Sequence, residues 1–153
     1  LEQPQVCVHR DYHSRNLLLL ENKNVGVLDF QDAVYGPITY DAASLLRDAY
    51  IDWPKEQVEQ WILKFYDMIN ISHQYTQEKF VRWFDLISLQ RHLKILGIFS
   101  RLNYRDNKPH YLPMTSRLLN YINKTCENYA ELSGFKELLE TKIQTKSYEK
   151  EKK

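Results

Sequence analysis

The chain has 153 residues, long enough for one domain with its own core, and 21 Lys and Arg against 20 Asp and Glu leave a net charge of +1. That balance argues against the basic footprint of a nucleic-acid binder, and no apolar run approaches the length of a membrane span. Hydrophobic residues at 43% and aromatics at 13% predict a packed interior, while two distant cysteines, Cys7 and Cys126, read as free buried thiols of a reducing, cytoplasmic compartment.

In chain order, Gln5-Val6-Cys7-Val8 is a short, mostly apolar entry that reads as extended. The polar stretch His9-Arg10-Asp11-Tyr12-His13-Ser14-Arg15-Asn16 follows. Leu17 to Leu20, the turn Glu21-Asn22-Lys23-Asn24, and Val25 to Asp29 then form two apolar runs around a polar turn, which predicts a β-hairpin. Asn16 precedes its first strand and Asp29 ends its second, so both are expected at the same end. After residue 40 the pattern turns helical. Asp41 to Tyr50 carries Ala42, Leu45, Leu46 and Ala49 at helical spacing. Pro54 opens a second helix with Val58, Trp61, Ile62, Phe65, Tyr66 and Ile69 on one face. Thr76 to about Asn103 reads as a long central helix, apolar on more than one face, whose Gly97 would let another backbone come close. Pro113 to Tyr129 and a last helix around Phe135, Leu138, Leu139 and Ile143 follow, before a solvated charged tail over 146–153. No internal repeat or interdomain linker interrupts this order. The organisation expected is a lobe over 1–145, with a loop and hairpin at 6–33 and a helical part at 40–145.

The chemistry of the first thirty residues is specific. Phosphoryl transfer needs a carboxylate that accepts the proton of an attacking hydroxyl, and oxygen ligands that hold Mg²⁺ against nucleotide phosphates. His9-Arg10-Asp11 with Asn16 five residues after Asp11, then Asp29-Phe30-Gln31, follows the kinase order with Gln31 in place of glycine. Asp11 is the candidate base; Asn16 and Asp29 are the candidate metal ligands, two oxygens being sufficient for a hard cation that keeps water and phosphate. A polar loop beside an ordinary hairpin is the bland alternative, but it accounts for neither spacing nor order. A zinc cluster of His9, Asp11 and His13 is another, and it leaves Asn16 and Asp29 without a role.

The pattern His9-x-Asp11-x-His13-x-x-Asn16, together with Gly36-Pro37-Ile38-Thr39-Tyr40-Asp41-Ala42-Ala43, resembles the aminoglycoside-phosphotransferase superfamily of small-molecule kinases. Tyr40 to Tyr50 and Gln90-Arg91-His92-Leu93-Lys94-Ile95-Leu96-Gly97-Ile98-Phe99 are most similar to one branch, the anomeric amino-sugar kinases of bacterial cell-wall recycling. The similarity covers about residues 6 to 125. It implies a mainly α fold with a small β-hairpin, the C-terminal lobe of a kinase-like fold. ATP with Mg²⁺ would be the donor and an N-acetylated sugar, N-acetylmuramate or N-acetylglucosamine, the acceptor. Aminoglycosides or choline-like alcohols are the alternative acceptors, and a non-catalytic binding module is the alternative class. Only five residues precede Val6, and the four glycines of the chain form no phosphate-cradling cluster. An absent N-terminal lobe is therefore expected, and with it a fragment that catalyses poorly alone.

Further residues receive expectations of two kinds. By resemblance, Asp41 is a carboxylate holding the loop amides, although a helix N-cap is also open; His9 is an anchor of the loop. His13 and Arg15 could face phosphate or sugar, with Arg15 alternatively in a surface ion pair. Gln31 and Asp32 either bind sugar hydroxyls or tie down the segment after Asp29. Arg91, His92 and Arg105, with Asp106, Lys108 and Tyr111, are the candidate wall of a sugar pocket. The alternative for Arg91 and His92 is pairing with carboxylates of the lobe itself. The basic character of that set leans toward a neutral or anionic sugar.

Overall fold

The computed structural model describes the backbone of residues 2–150 and the side chains of residues 2–142. Strand β1 (Gln5–Val8) pairs antiparallel with β4 (Val34–Pro37), with Val6 opposite Gly36. Strands β2 (Leu17–Leu19) and β3 (Val25–Val27) form the separate hairpin expected from sequence. Its turn closes through Lys23, which adopts φ 62° and donates its N–H to the Leu20 carbonyl at 2.9 Å. Strand β4 is absent from the sequence expectations, because only its pairing with the distant β1 defines it. Gly36 is needed there: a Cβ would meet Val8 Cγ2 at 2.8 Å.

Among the described residues five α-helices follow: α1 (Tyr40–Leu46), α2 (Lys55–Met68), α3 (Gln77–Tyr104), α4 (Thr115–Asn128) and α5 (Ser133–Lys150). The structure is thus mainly helical with two small sheets. Helix α1 stops four residues before the expected Tyr50, since the Trp53 indole N–H takes the Leu45 carbonyl and the Asp48 carboxylate holds the Tyr50 amide. Pro54 caps α2 rather than beginning it, and Thr76 caps α3 by accepting the Lys79 N–H. A 3-10 turn over Pro109–Met114 occupies part of what was expected as helix before α4.

Helix α3 is the spine. Its first half buries Phe80, Trp83 and Phe84 against Ala43 of α1 and Val58, Ile62 and Tyr66 of α2. Its second half packs Phe99 on Ala49 and Leu118, and Leu89 joins Ile122 and Cys126 of α4 on another face. Three sequence expectations are corrected. No atom of another segment lies within 4 Å of a Cβ built on Gly97, so no backbone approaches there. Cys7 is exposed, because β1 belongs to a two-stranded sheet with open faces; only Cys126 is buried. Leu138 faces solvent while Phe135 and Leu139 pack, so α5 buries a narrower stripe. Helix α5 continues to Lys150, five residues into the expected tail; the side chains of 143–153, Ile143 included, and residues 151–153 lie outside the described residues. Among the described residues no helix is long and apolar enough to cross a membrane.

Candidate active site

The loop after β1 is held by its backbone. The Asp41 carboxylate, in the first turn of α1, accepts the N–H of His9 at 2.6 Å and of Arg10 at 3.0 Å. Thr39, not Asp41, is the N-cap of α1. From α3, the buried Arg91 guanidinium donates to the Arg10 carbonyl at 2.6 Å and lies over the Tyr40 ring. At the far end of the loop, Asp48 accepts the N–H of Ser14 and of Tyr50, both at 2.9 Å. Arg10 itself adopts φ 75°, a conformation that a non-glycine residue keeps only when its surroundings hold it.

Between these clamps the loop turns on itself. The Asp11 carbonyl accepts both the His13 N–H and the Asn16 side-chain amide at 3.0 Å. The Asn16 amide nitrogen is thereby engaged, which leaves its oxygen as the free end of the side chain. Hairpin pairing continues beyond β2 and β3, with the Leu28 N–H donating to the Asn16 carbonyl at 2.9 Å. Asp29 therefore emerges beside Asn16, in a left-handed conformation (φ 65°, ψ 37°). The His9 ring donates from Nε2 to the Leu28 carbonyl at 2.8 Å, tying the loop to the strand that carries Asp29.

Asp11, Asn16 and Asp29 line one cavity of about 240 Å³. His13, Ser44, Asp48, Tyr50 and Arg91 add polar groups to its wall, and Ala49, Ile95, Ile98 and Phe99 an apolar one. Burial is the main cause lowering the His13 pKa, against the attraction of Asp48 and Asp11, so this imidazole stays neutral at pH 7. Burial likewise raises the Tyr50 phenol. The donor set suits Mg²⁺: an amide oxygen and a carboxylate are hard ligands, and both open on one space. A zinc cluster of His9, Asp11 and His13 finds no support, since among the described residues no three His, Cys, Asp or Glu side chains are placed to hold one metal ion. The His9 ring is spent on Leu28, and the His13 ring packs edge-on against Tyr50.

The other sequence candidates divide. Gln31 donates to the Asp29 carboxylate at 2.7 Å and is exposed, so it positions that side chain. Asp32 contributes only its backbone carbonyl, to Arg10 Nη1. Arg15 stacks over Tyr50, 3.7 Å from the ring centroid, instead of forming an ion pair. His92 is not on the cavity wall. Successive residues on a helix diverge by about 100°, so while Arg91 faces the loop, His92 turns to the Arg47 carbonyl and stacks on Tyr121. Arg105 is also elsewhere, exposed at the end of α3 and paired with Asp106. Arg91 and His92 both find backbone carbonyls rather than carboxylates. With His92 and Arg105 elsewhere, the cavity holds Asp11, Asp29 and Asp48 against Arg91, and the basic-pocket argument for an anionic sugar lapses.

Asp48, Ser44 and Tyr50 were missed as site residues. Asp48 could have been found: a carboxylate within the apolar run Ala42 to Ala49 must be partnered if buried, and it is 2% exposed.

A carboxylate and two side chains with oxygen donors that line one cavity, on a loop clamped by Asp41, Asp48 and Arg91, form an arrangement that phosphoryl transfer could use. Residues 1–68 match the Phosphotransferase enzyme family, in agreement with the resemblance read from the motifs of the chain. The chain is 47% identical over 142 residues to the N-acetylmuramate/N-acetylglucosamine kinase of Neisseria meningitidis serogroup B, covering 91% of this chain and 42% of that relative. It is 46% identical to the protein of the same name from Pseudomonas putida over the same shares. The one from Caulobacter vibrioides is 33% identical over 77% of this chain and 33% of its own length. The chain thus spans about two fifths of the length of the Neisseria and Pseudomonas relatives.

Proposed function

We propose that this chain is the C-terminal, catalytic lobe of an ATP-dependent sugar kinase that phosphorylates the anomeric hydroxyl of N-acetylmuramate or N-acetylglucosamine. The observation that carries the reading is the convergence of Asp11, Asn16 and Asp29 on one cavity, in a chain 47% identical to a kinase of that name. Asp11 takes the proton of the attacking hydroxyl as the new O–P bond forms and the bond to the leaving ADP breaks. Asp41, Asp48 and Arg91 hold the loop so that Asp11 need not reorganise during the step. Mg²⁺ held by Asn16 and Asp29 would neutralise charge on the phosphates. A second lobe that grips the nucleotide would pack near the hairpin, where Leu19 is 80% and Phe30 68% exposed. ATP as donor and recycled cell-wall sugar as acceptor place the reaction in the bacterial cytoplasm.

The test is a chimera in which this chain replaces the matched segment of the Neisseria relative. Asp11→Asn is expected to lower turnover by about 10²–10⁴-fold with nucleotide affinity little changed. Asp29→Ala is expected to weaken Mg-nucleotide binding as well. Near wild-type turnover in Asp11→Asn would remove the base assignment. Loss of reducing-end reactivity in step with ATP consumption marks anomeric transfer; retained reactivity marks another hydroxyl.

A further inference from the structure

Among the described residues, the two buried serine and threonine hydroxyls inside helices other than Ser44 return to the carbonyl four residues back. Ser88 donates to Phe84 at 2.7 Å and Thr125 to Tyr121 at 3.0 Å. Ser44, in α1, does not. It is 1% exposed, and its Oγ has no hydrogen-bond partner. Such a group is destabilising unless something else meets it. Ser44 lines the cavity that holds Asp11, and so does His13, whose Nδ1 is also buried without a partner. Ile95, Ile98 and Phe99 of α3 line the same cavity, an apolar wall whose side chains offer no hydrogen bond.

A free hydroxyl next to an apolar wall suits a small group with a carbonyl oxygen and a methyl. The acceptors in the relatives' names share one such group: both sugars carry a 2-acetamido substituent, and they differ only in the lactyl ether at O3. A site that accepts both must read what they share. We propose that the recess between α1 and α3 is an acetamido subsite, with Ser44 Oγ–H donating to the acetyl carbonyl and Ile98 and Phe99 receiving the methyl. This rests on the sugar-kinase reading and adds to it the residue that makes the enzyme prefer an N-acetylated acceptor. Ser44 and the apolar wall come from helices, whereas Asn16 and Asp29 come from the hairpin end, so acceptor and phosphate sides are built by different elements.

Every residue assigned to the subsite belongs to this chain, so binding is measured on the 153-residue protein by backbone-amide NMR titration with N-acetylglucosamine, glucosamine and glucose. N-acetylglucosamine is expected to shift the Ser44, Ala49 and Phe99 signals and to bind about tenfold tighter than the other two, the size of one satisfied polar contact. Ser44→Ala should erase most of that preference without lowering stability, since it removes an unpaired hydroxyl and improves helix propensity. Equal affinities, shifts confined to other surfaces, or no shift overturn the subsite. A Ser44→Ala protein that keeps the preference overturns the role of Ser44. If the chimera is active and Asp11→Asn silences it while these titrations fail, only the subsite is wrong. If Asp11→Asn stays active, the kinase reading itself fails.

Discussion

Acidification should loosen this structure through His92, by an amount the geometry allows to be worked out. His92 is 1% exposed, and its pKa is lowered to about 4, first by burial and then by the Arg47 and Arg91 cations. Its Nε2 meets the Arg47 carbonyl at 3.0 Å, so in the neutral ring Nε2 carries the proton; Nδ1 is buried without a partner. Protonation would add an N–H at Nδ1 with no acceptor and a charge between two cations. The folded-state pKa therefore lies below the unfolded value of 6.5, and the unfolded chain binds more protons between pH 6.5 and 4. Stability is full above pH 6.5 and falls as the pH drops through that window. The shift amounts to about 3 kcal/mol in the limit, with about 2 kcal/mol lost between pH 7.5 and 5. That is a large share of a typical total of about 5–15 kcal/mol. Urea unfolding followed by tryptophan fluorescence at both pH values measures it. Carboxylates that accept hydrogen bonds, such as Asp41 and Asp48, also weaken on acidification, so His92→Gln is the control: its stability should fall by about 2 kcal/mol less over the same interval. Equal losses in the two proteins would refute the assignment.

Asp85 joins Arg47 by an ion pair at 2.5 Å and Tyr129 by a hydrogen bond at 2.7 Å. Asp85→Ala should cost about 3 kcal/mol in urea unfolding because Arg47 would be left uncompensated, and a cost below about 1 kcal/mol counts against this. Asp41→Ala should lower stability by about 2 kcal/mol and speed hydrogen exchange at the His9 and Arg10 amides; unchanged exchange would show that the loop is held otherwise. Gly36→Ala should cost about 1–3 kcal/mol through its contact with Val8, and Val8→Ala should relieve part of that cost in the double variant. Gly97→Ala should raise stability by about 1 kcal/mol, since nothing occupies the space; a loss would mean a hidden neighbour.

Local patterns carried the hairpin and the helices. Two apolar runs around Glu21-Asn22-Lys23-Asn24 predict β2 and β3, and the periodicity of Val58, Ile62 and Phe65 predicts α2. What escaped depends on contacts distant in sequence. Strand β4 exists because β1 pairs with it across 29 residues, Val6 to Gly36, which no local signal announces. Helix α1 ends early because Asp48 turns to the Ser14 and Tyr50 amides. Arg91 and His92 look alike as cations in an apolar helix, yet one faces the loop and the other the α4 side. Helix α3 is buried on several faces, so its periodicity cannot choose between them.

The site separates groups that hold the loop from groups left open to the cavity. Asp41, Asp48 and Arg91 spend their charges on backbone amides and a carbonyl, Asp41 from α1, Asp48 from the segment just after it and Arg91 from α3. Charge-assisted bonds to backbone fix the chain path irrespective of the side chains it carries. Asp29 is spent in part on Gln31, while Asn16 turns its amide nitrogen inward to Asp11. One Asp29 oxygen and the Asn16 amide oxygen are thus left without a scaffold hydrogen bond. Two left-handed residues, Arg10 and Asp29, mark where the chain is bent against its preference. The strain at Arg10 is offset by the Asp41 and Arg91 contacts and that at Asp29 by the His9–Leu28 bond. Weakening any of these clamps should therefore displace the site before it unfolds the lobe, since none of them is part of the hydrophobic clusters around α3.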